Sequence, residues 1–61
     1  MTRKDYELIA GVISMTAREF RGVEDGTNAC RDIATFLASR LENDNPRFDR
    51  ERFLKACGVA V

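Results

Sequence analysis

The chain has 61 residues, and its ten Lys and Arg side chains balance ten Asp and Glu side chains. A chain this short forms one domain, residues 1–61, whose single core rarely supplies more than about 3–5 kcal/mol of net stability. We therefore expect support from a disulfide, a metal, a partner or self-association. A net charge of zero disfavours nucleic-acid binding, because phosphate neutralisation usually requires a basic excess.

The side-chain inventory also argues against catalysis and metal binding. Histidine is absent, which removes the commonest proton-transfer group near neutral pH. No Cys-x-x-Cys pair and no calcium-loop carboxylate series is present. We predict no catalytic residue, no metal and no cofactor, and hence not an enzyme. Cys30 and Cys57 are predicted to be reduced, while a Cys30–Cys57 disulfide remains the alternative.

The first helix is predicted from Arg3 or Lys4 to about Arg21. Thr2 is a suitable N-cap, and Asp5 stands three residues later, as in a capping box. The N-terminal region has no long apolar run, so we expect neither a signal peptide nor a membrane span, and a cytoplasmic location. The core stripe of this helix follows spacings of three and four residues; it comprises Tyr6, Ile9, Ile13, Thr16 and Phe20.

Further apolar residues widen this stripe into an arc of about half the helix circumference. Leu8, Val12 and Met15 lie on its flank. One neighbouring helix cannot cover an arc of this width, so the sequence favours a homo-oligomer. The candidate interface residues are Tyr6, Leu8, Val12 and Met15.

The second helix is predicted from Thr27 or Asn28 to Glu42 or Asn43. Gly22 suits the end of the first helix. Three polar residues, Asp25, Thr27 and Asn28, are competent N-caps for the second. The predicted central stripe is Cys30, Ile33, Leu37 and Leu41. Four smaller or flanking positions accompany it: Ala29, Ala34, Phe36 and Ala38.

The third helix is short, about Arg50 to Cys57, and its ends are well marked. Asp49 is a good N-cap. Phe48 and Phe53 have the N′ and N4 spacing of a hydrophobic staple. Gly58 suits the C′ position, where a left-handed residue closes the last turn. The fold class is therefore all-α, with two long helices and a short C-terminal helix.

The densest basic cluster surrounds this third helix and comprises Arg47, Arg50, Arg52 and Lys55. A solvated face with weak ion pairs is the simplest interpretation. The alternative is a site for an anionic, nucleotide-like molecule, in which Arg40 joins Arg47, Arg50 and Arg52 and symmetry multiplies the set. A helix-turn-helix DNA-binding regulator is a third reading. It is disfavoured because Asp49 and Glu51 would repel phosphate at the groove-entering end.

Two segments carry a resemblance to a known group of proteins. The segment Asp44-Asn45-Pro46-Arg47-Phe48-Asp49-Arg50-Glu51-Arg52-Phe53-Leu54-Lys55-Ala56-Cys57-Gly58-Val59 resembles the C-terminus of small uncharacterised proteins encoded by bacteriophages and prophages. The segment Met1-Thr2-Arg3-Lys4-Asp5-Tyr6-Glu7 is similar to their usual opening. No functional residue transfers with the resemblance. It implies a phage accessory protein in the cytoplasm of a bacterial host, which acts by stoichiometric binding to a host protein or by holding a nucleotide signal.

Overall fold

The computed structural model describes residues 1–59 and contains three helices in that range. They are α1 (Arg3–Glu19), α2 (Glu24–Asp44) and α3 (Arg50–Ala56), with 17, 21 and 7 residues. Each helix contacts the other two, and residues 1–59 contain no strand. The predicted all-α class, with two long helices and one short helix, is confirmed. Ala60 and Val61, the last two residues of the predicted domain, lie outside the described range.

The start of α1 follows the predicted capping box. Thr2 is the N-cap, and its backbone N–H donates to Oδ2 of Asp5 at 2.9 Å. The helix ends at Glu19, two residues earlier than predicted, with Phe20 as its C-cap. Gly22 follows with a φ of +87°, a left-handed conformation that costs glycine little and other residues more. The chain reverses there and enters α2.

The start of α2 differs from the prediction. The helix begins at Glu24 with Val23 as its N-cap, so none of Asp25, Thr27 and Asn28 caps it. Acidic residues in the first turn suit the positive end of the helix dipole, which lets a helix begin without a polar N-cap. The hydroxyl of Thr27 instead donates to the carbonyl oxygen of Phe20 at 3.0 Å, which ties α2 to the end of α1.

The boundaries of α3 agree closely with the sequence. Asp49 is the N-cap, and its Oδ1 accepts the backbone N–H of Arg52 at 3.0 Å. Gly58 has a φ of +74° one residue beyond the Cys57 C-cap, as a C′ glycine should. The helix ends at Ala56, one residue before the predicted end.

The core lies between the three helices and contains few large side chains. Among residues 1–59, four buried members are large, namely Ile13, Leu41, Phe48 and Phe53, whereas the other buried members are alanine or cysteine. The small buried residues are Ala10, Cys30, Ala34, Ala38 and Cys57. Because α2 presents alanines to the core, its neighbours can approach closely.

The buried side of α2 is rotated around the helix axis relative to the predicted central stripe. Ile33, predicted in the central stripe, is 56% exposed, and Phe36 is 68% exposed. Ala34 and Ala38, predicted on the flank, are instead fully buried. In this bundle, close packing of helices on Ala34 and Ala38 is favoured over burial of Ile33 and Phe36. The third helix of the bundle has only seven residues.

The α1 core stripe is also shorter than predicted. Ile13 is buried, while Tyr6 and Ile9 are half-buried against the core. Thr16 and Phe20 are exposed, and the Thr16 hydroxyl donates to the carbonyl oxygen of Val12 at 2.9 Å. The far end of α1 therefore contributes little to the core.

Candidate functional site

An apolar stripe lies on the outer side of α1. Leu8, Val12 and Met15 are 69%, 58% and 67% exposed. At about 100° per residue, these three residues share one side of the helix, turned away from the buried Ala10 and Ile13. We call Leu8, Val12 and Met15 the α1 outer stripe. Three of the four predicted interface residues are thus accessible to a partner.

Tyr6, the fourth predicted interface residue, is separate from the outer stripe. Its ring centroid lies 4.8 Å from that of Phe48 in an edge-on arrangement, and it packs against the core. Tyr6 therefore helps to hold α3 on α1 and is only partly accessible.

A second apolar stripe lies on α2, formed by the two residues displaced from the predicted core. Ile33 and Phe36 are three residues apart on one side of α2. Arg40 lies four residues after Phe36, is also exposed and extends the same side. We call Ile33, Phe36 and Arg40 the α2 outer stripe. Two more apolar residues in the connection before α2 are exposed: Phe20 is 41% exposed and Val23 is 50% exposed.

Gly11 lies beside the α1 outer stripe in the middle of a regular helix. A Cβ atom built on it would have no neighbour within 4 Å, and its φ is not positive. Glycine at such a position costs about 1 kcal/mol of helix stability relative to alanine. Nothing in the single domain requires glycine here.

The predicted arginine cluster divides into two parts. Arg47 and Arg52 line an open groove of about 310 Å³ between the start of α1 and α3. Arg50 points to α2, where its Nη1 donates to Oγ of Ser39 at 2.8 Å and lies 3.8 Å from Oε1 of Glu42. Arg40 does not line the groove either. Within one chain, Arg40 and Arg50 therefore do not join Arg47 and Arg52 at the groove, and a site that symmetry multiplies in an oligomer stays a prediction.

Arg3 joins Arg47 and Arg52 at the groove, which the sequence did not indicate because Arg3 is distant in the chain. Two carboxylates offset these three guanidinium groups. Glu7 lies 3.7 Å from Arg3, and Asp49 accepts a backbone hydrogen bond at the α3 N-cap. The groove is consequently only weakly positive.

Both cysteines are free and buried. Burial raises the pKa of the Cys57 thiol above its usual value, so this thiol stays neutral near pH 7. Among residues 1–59, no group of three or more His, Cys, Asp and Glu side chains is placed to hold a metal ion. In the same range, no helix combines the length and hydropathy needed to cross a membrane.

Fold and surface together define a small three-helix domain that leaves many large apolar side chains exposed. Among residues 1–59, eight such residues are exposed, four are buried and five more are half-buried against the core. Comparison of the chain with protein-family models, curated proteins and solved structures finds no match. The case for a function therefore depends on the chain itself.

Proposed function

We propose that the protein acts by stoichiometric binding to another protein, as a small phage-type accessory protein that engages a component of its bacterial host. The observation that carries the proposal is the set of large apolar side chains that one chain leaves exposed on α1 and α2. Extended apolar surface that a single domain leaves uncovered is typical of protein–protein interaction sites.

The α2 outer stripe is the better candidate for the host-facing surface. Aromatic and arginine side chains are enriched among residues that dominate binding energy, and Phe36 and Arg40 stand one helical turn apart. Phe36 is 68% exposed, so a partner can cover most of its ring. The phage context rests on the resemblance of the chain's two ends.

Affinity capture with matched variants tests this proposal. The tagged wild-type protein, an Ile33→Asp/Phe36→Asp variant and a Lys55→Ala control would be incubated with bacterial lysate. We expect one host protein at stoichiometric yield with the wild type and the control, and its loss with the double variant. The complex should then re-form from the two purified components. Equal capture by all three proteins, or no stoichiometric component with the wild type, would refute the proposal.

A second candidate function is binding of an anionic, nucleotide-like small molecule in the arginine-lined groove. Three guanidinium groups at one groove are the observation that favours it. A ligand at 100 times its dissociation constant should add about 2.7 kcal/mol to the unfolding free energy. A thermal-shift screen with nucleotides should therefore show stabilisation that Arg47→Ala/Arg52→Ala removes and Arg50→Ala retains. A DNA-binding regulator is not proposed, because Asp49 and Glu51 lie at the start of a seven-residue α3.

A further inference from the structure

We propose that the α1 outer stripe is the dyad contact of an antiparallel homodimer, in which α1 packs against α1 of a second copy of this chain. This inference goes beyond the proposed host-protein binding, which uses the α2 outer stripe, and it holds with or without a host partner.

The first argument is charge complementarity along α1. Lys4 and Glu19 lie four residues beyond the two ends of the α1 outer stripe, on the same side of the helix, and both are exposed. If two copies of α1 run antiparallel about a dyad between residues 11 and 12, Lys4 lies opposite Glu19 of the partner subunit. Both ends of the helix pair then carry an opposite-charge pair, whereas a parallel pair would oppose like charges.

The same register places the apolar residues in matching layers. Leu8 lies opposite Met15 of the partner subunit, and the dyad repeats this layer at the other end. Both residues are about two-thirds exposed in one chain, so the contact removes apolar surface that the core leaves in water. One register thus satisfies both the charged and the apolar positions.

Gly11 supplies the second argument. The dyad brings Gly11 beside Gly11 of the partner subunit on one side and Val12 beside Val12 on the other. Glycine lets two helix backbones approach closely, which explains a mid-helix glycine that has no neighbour within 4 Å in one chain. Gly11, which lowers the stability of α1, therefore lies where the helix of a second copy approaches most closely.

The surface area of the chain is consistent with a missing partner. One chain exposes 4830 Å², compared with about 4,000 Å² expected for a compact monomer of its mass. The elongated shape raises this area and leaves uncovered surface for an interface of standard size, which buries roughly 800 Å² on each partner. The molecule is elongated, 34 × 18 × 15 Å, and the apolar residues on the outer side of α1 are exposed to a second chain.

Charge exchange tests the register directly. Sedimentation equilibrium at low salt would compare the wild type with Lys4→Glu, Glu19→Lys and the double variant that carries both changes. Each single change opposes like charges at both ends, and we expect it to weaken the dimer by about tenfold. The double variant restores opposite charges and should recover wild-type affinity to within about threefold. A double variant no tighter than the single variants would overturn this register.

Apolar variants test the surface without threatening the fold, because the substituted side chains are exposed. Leu8→Glu should give a monomer at concentrations where the wild type is dimeric, and the equally exposed Phe36→Glu should remain dimeric. Helical circular dichroism should confirm that both variants fold. A monomeric wild type at several hundred micromolar, or dimer loss with Phe36→Glu alone, would overturn the proposal. Host-protein capture by a monomeric Leu8→Glu variant would separate the two surfaces.

Discussion

The ring of Phe48 lies against the ring of Phe53, with centroids 5.4 Å apart and an angle of 57° between the planes. A second aromatic neighbour of Phe48 is Tyr6, whose ring meets that of Phe48 edge-on. These three rings connect α1, the segment before α3, and α3 itself. Such tilted and edge-on pairs add about 0.5–1.5 kcal/mol each beyond the burial of the rings.

Truncation of either phenylalanine should therefore be severe. Phe53→Ala is expected to cost about 3–5 kcal/mol of unfolding free energy, comparable to the whole stability of a chain of this size. Phe48 stands before the N-cap of α3, yet it is only 8% exposed, against 4% for Phe53. We therefore expect similar losses from both changes.

Urea denaturation of the two variants would test this expectation, with Phe36→Ala as the control. Phe36 is 68% exposed, so its truncation should change stability much less in the single chain. If Phe53→Ala unfolds at the wild-type urea concentration, α3 contributes little to the fold.

A methyl group at Gly26 should destabilise the α1–α2 connection. A Cβ atom there would overlap the Cβ and ring atoms of Phe20. Gly26→Ala should gain about 1 kcal/mol of helix propensity, but displacement of the Phe20 side chain at its Cβ costs typically 1–3 kcal/mol. We expect a net loss, measured as a lower melting temperature.

The double variant Gly26→Ala/Phe20→Ala isolates the cause. Removal of the ring eliminates the two shortest overlaps and leaves only the one with the Cβ atom of residue 20, so Gly26→Ala should cost less in the Phe20→Ala background than in the wild type. A loss of the same size in both backgrounds would mean that the overlap with Phe20 is not responsible.

Stability should depend on the ionisation of Asp5 at acidic pH. The backbone N–H of Thr2 donates to this carboxylate and lowers the pKa of Asp5 below its usual value. A group with a depressed folded-state pKa contributes stability above its unfolded pKa, and that contribution disappears as the pH falls through the folded-state pKa. Asp5→Asn should therefore melt below the wild type at pH 7, and the difference should shrink as the pH falls through the lowered folded-state pKa of Asp5. A difference that is unchanged by pH would contradict this role.

The Cys57 thiol should resist alkylation in the folded protein. It is fully buried, and its raised pKa keeps it in the unreactive thiol form at pH 8. Iodoacetamide followed by mass spectrometry should modify Cys57 only when urea is present. A Val12→Cys variant supplies an exposed thiol for comparison and should react without urea. Rapid modification of Cys57 in buffer would show that α3 opens readily.

Local signals predicted the ends of α3 and the start of α1 to within one residue. Asp49, Gly58 and the Thr2–Asp5 pair act on backbone groups within a few residues, so sequence spacing alone determines what they can contact. Val23 shows the limit of this reasoning, because it caps α2 without a polar side chain, while Thr27 bonds to the preceding helix. A tertiary contact decided that boundary.

The rotation of α2 and the division of the arginines also depend on tertiary structure. Hydrophobic periodicity centres a stripe on the largest side chains, but the contact favours Ala34 over Ile33. Likewise, Arg50 and Arg52 are two residues apart and therefore lie on different sides of α3. Helical spacing was enough to foresee this separation, whereas the approach of Arg3 to Arg47 required knowledge of the packing.

The alanine contact of α2 has a consequence for hydrogen exchange. Ala34 and Ala38 are completely covered, and the helix backbone at these residues is shielded by neighbouring helices. Amide protons there should exchange only when the whole domain opens, so their exchange rates report the global unfolding free energy. The amides near Phe20 and Val23, where the core is thin, should exchange through smaller local openings. The amides with the slowest hydrogen exchange should therefore identify the part of α2 that opens only when the whole domain unfolds.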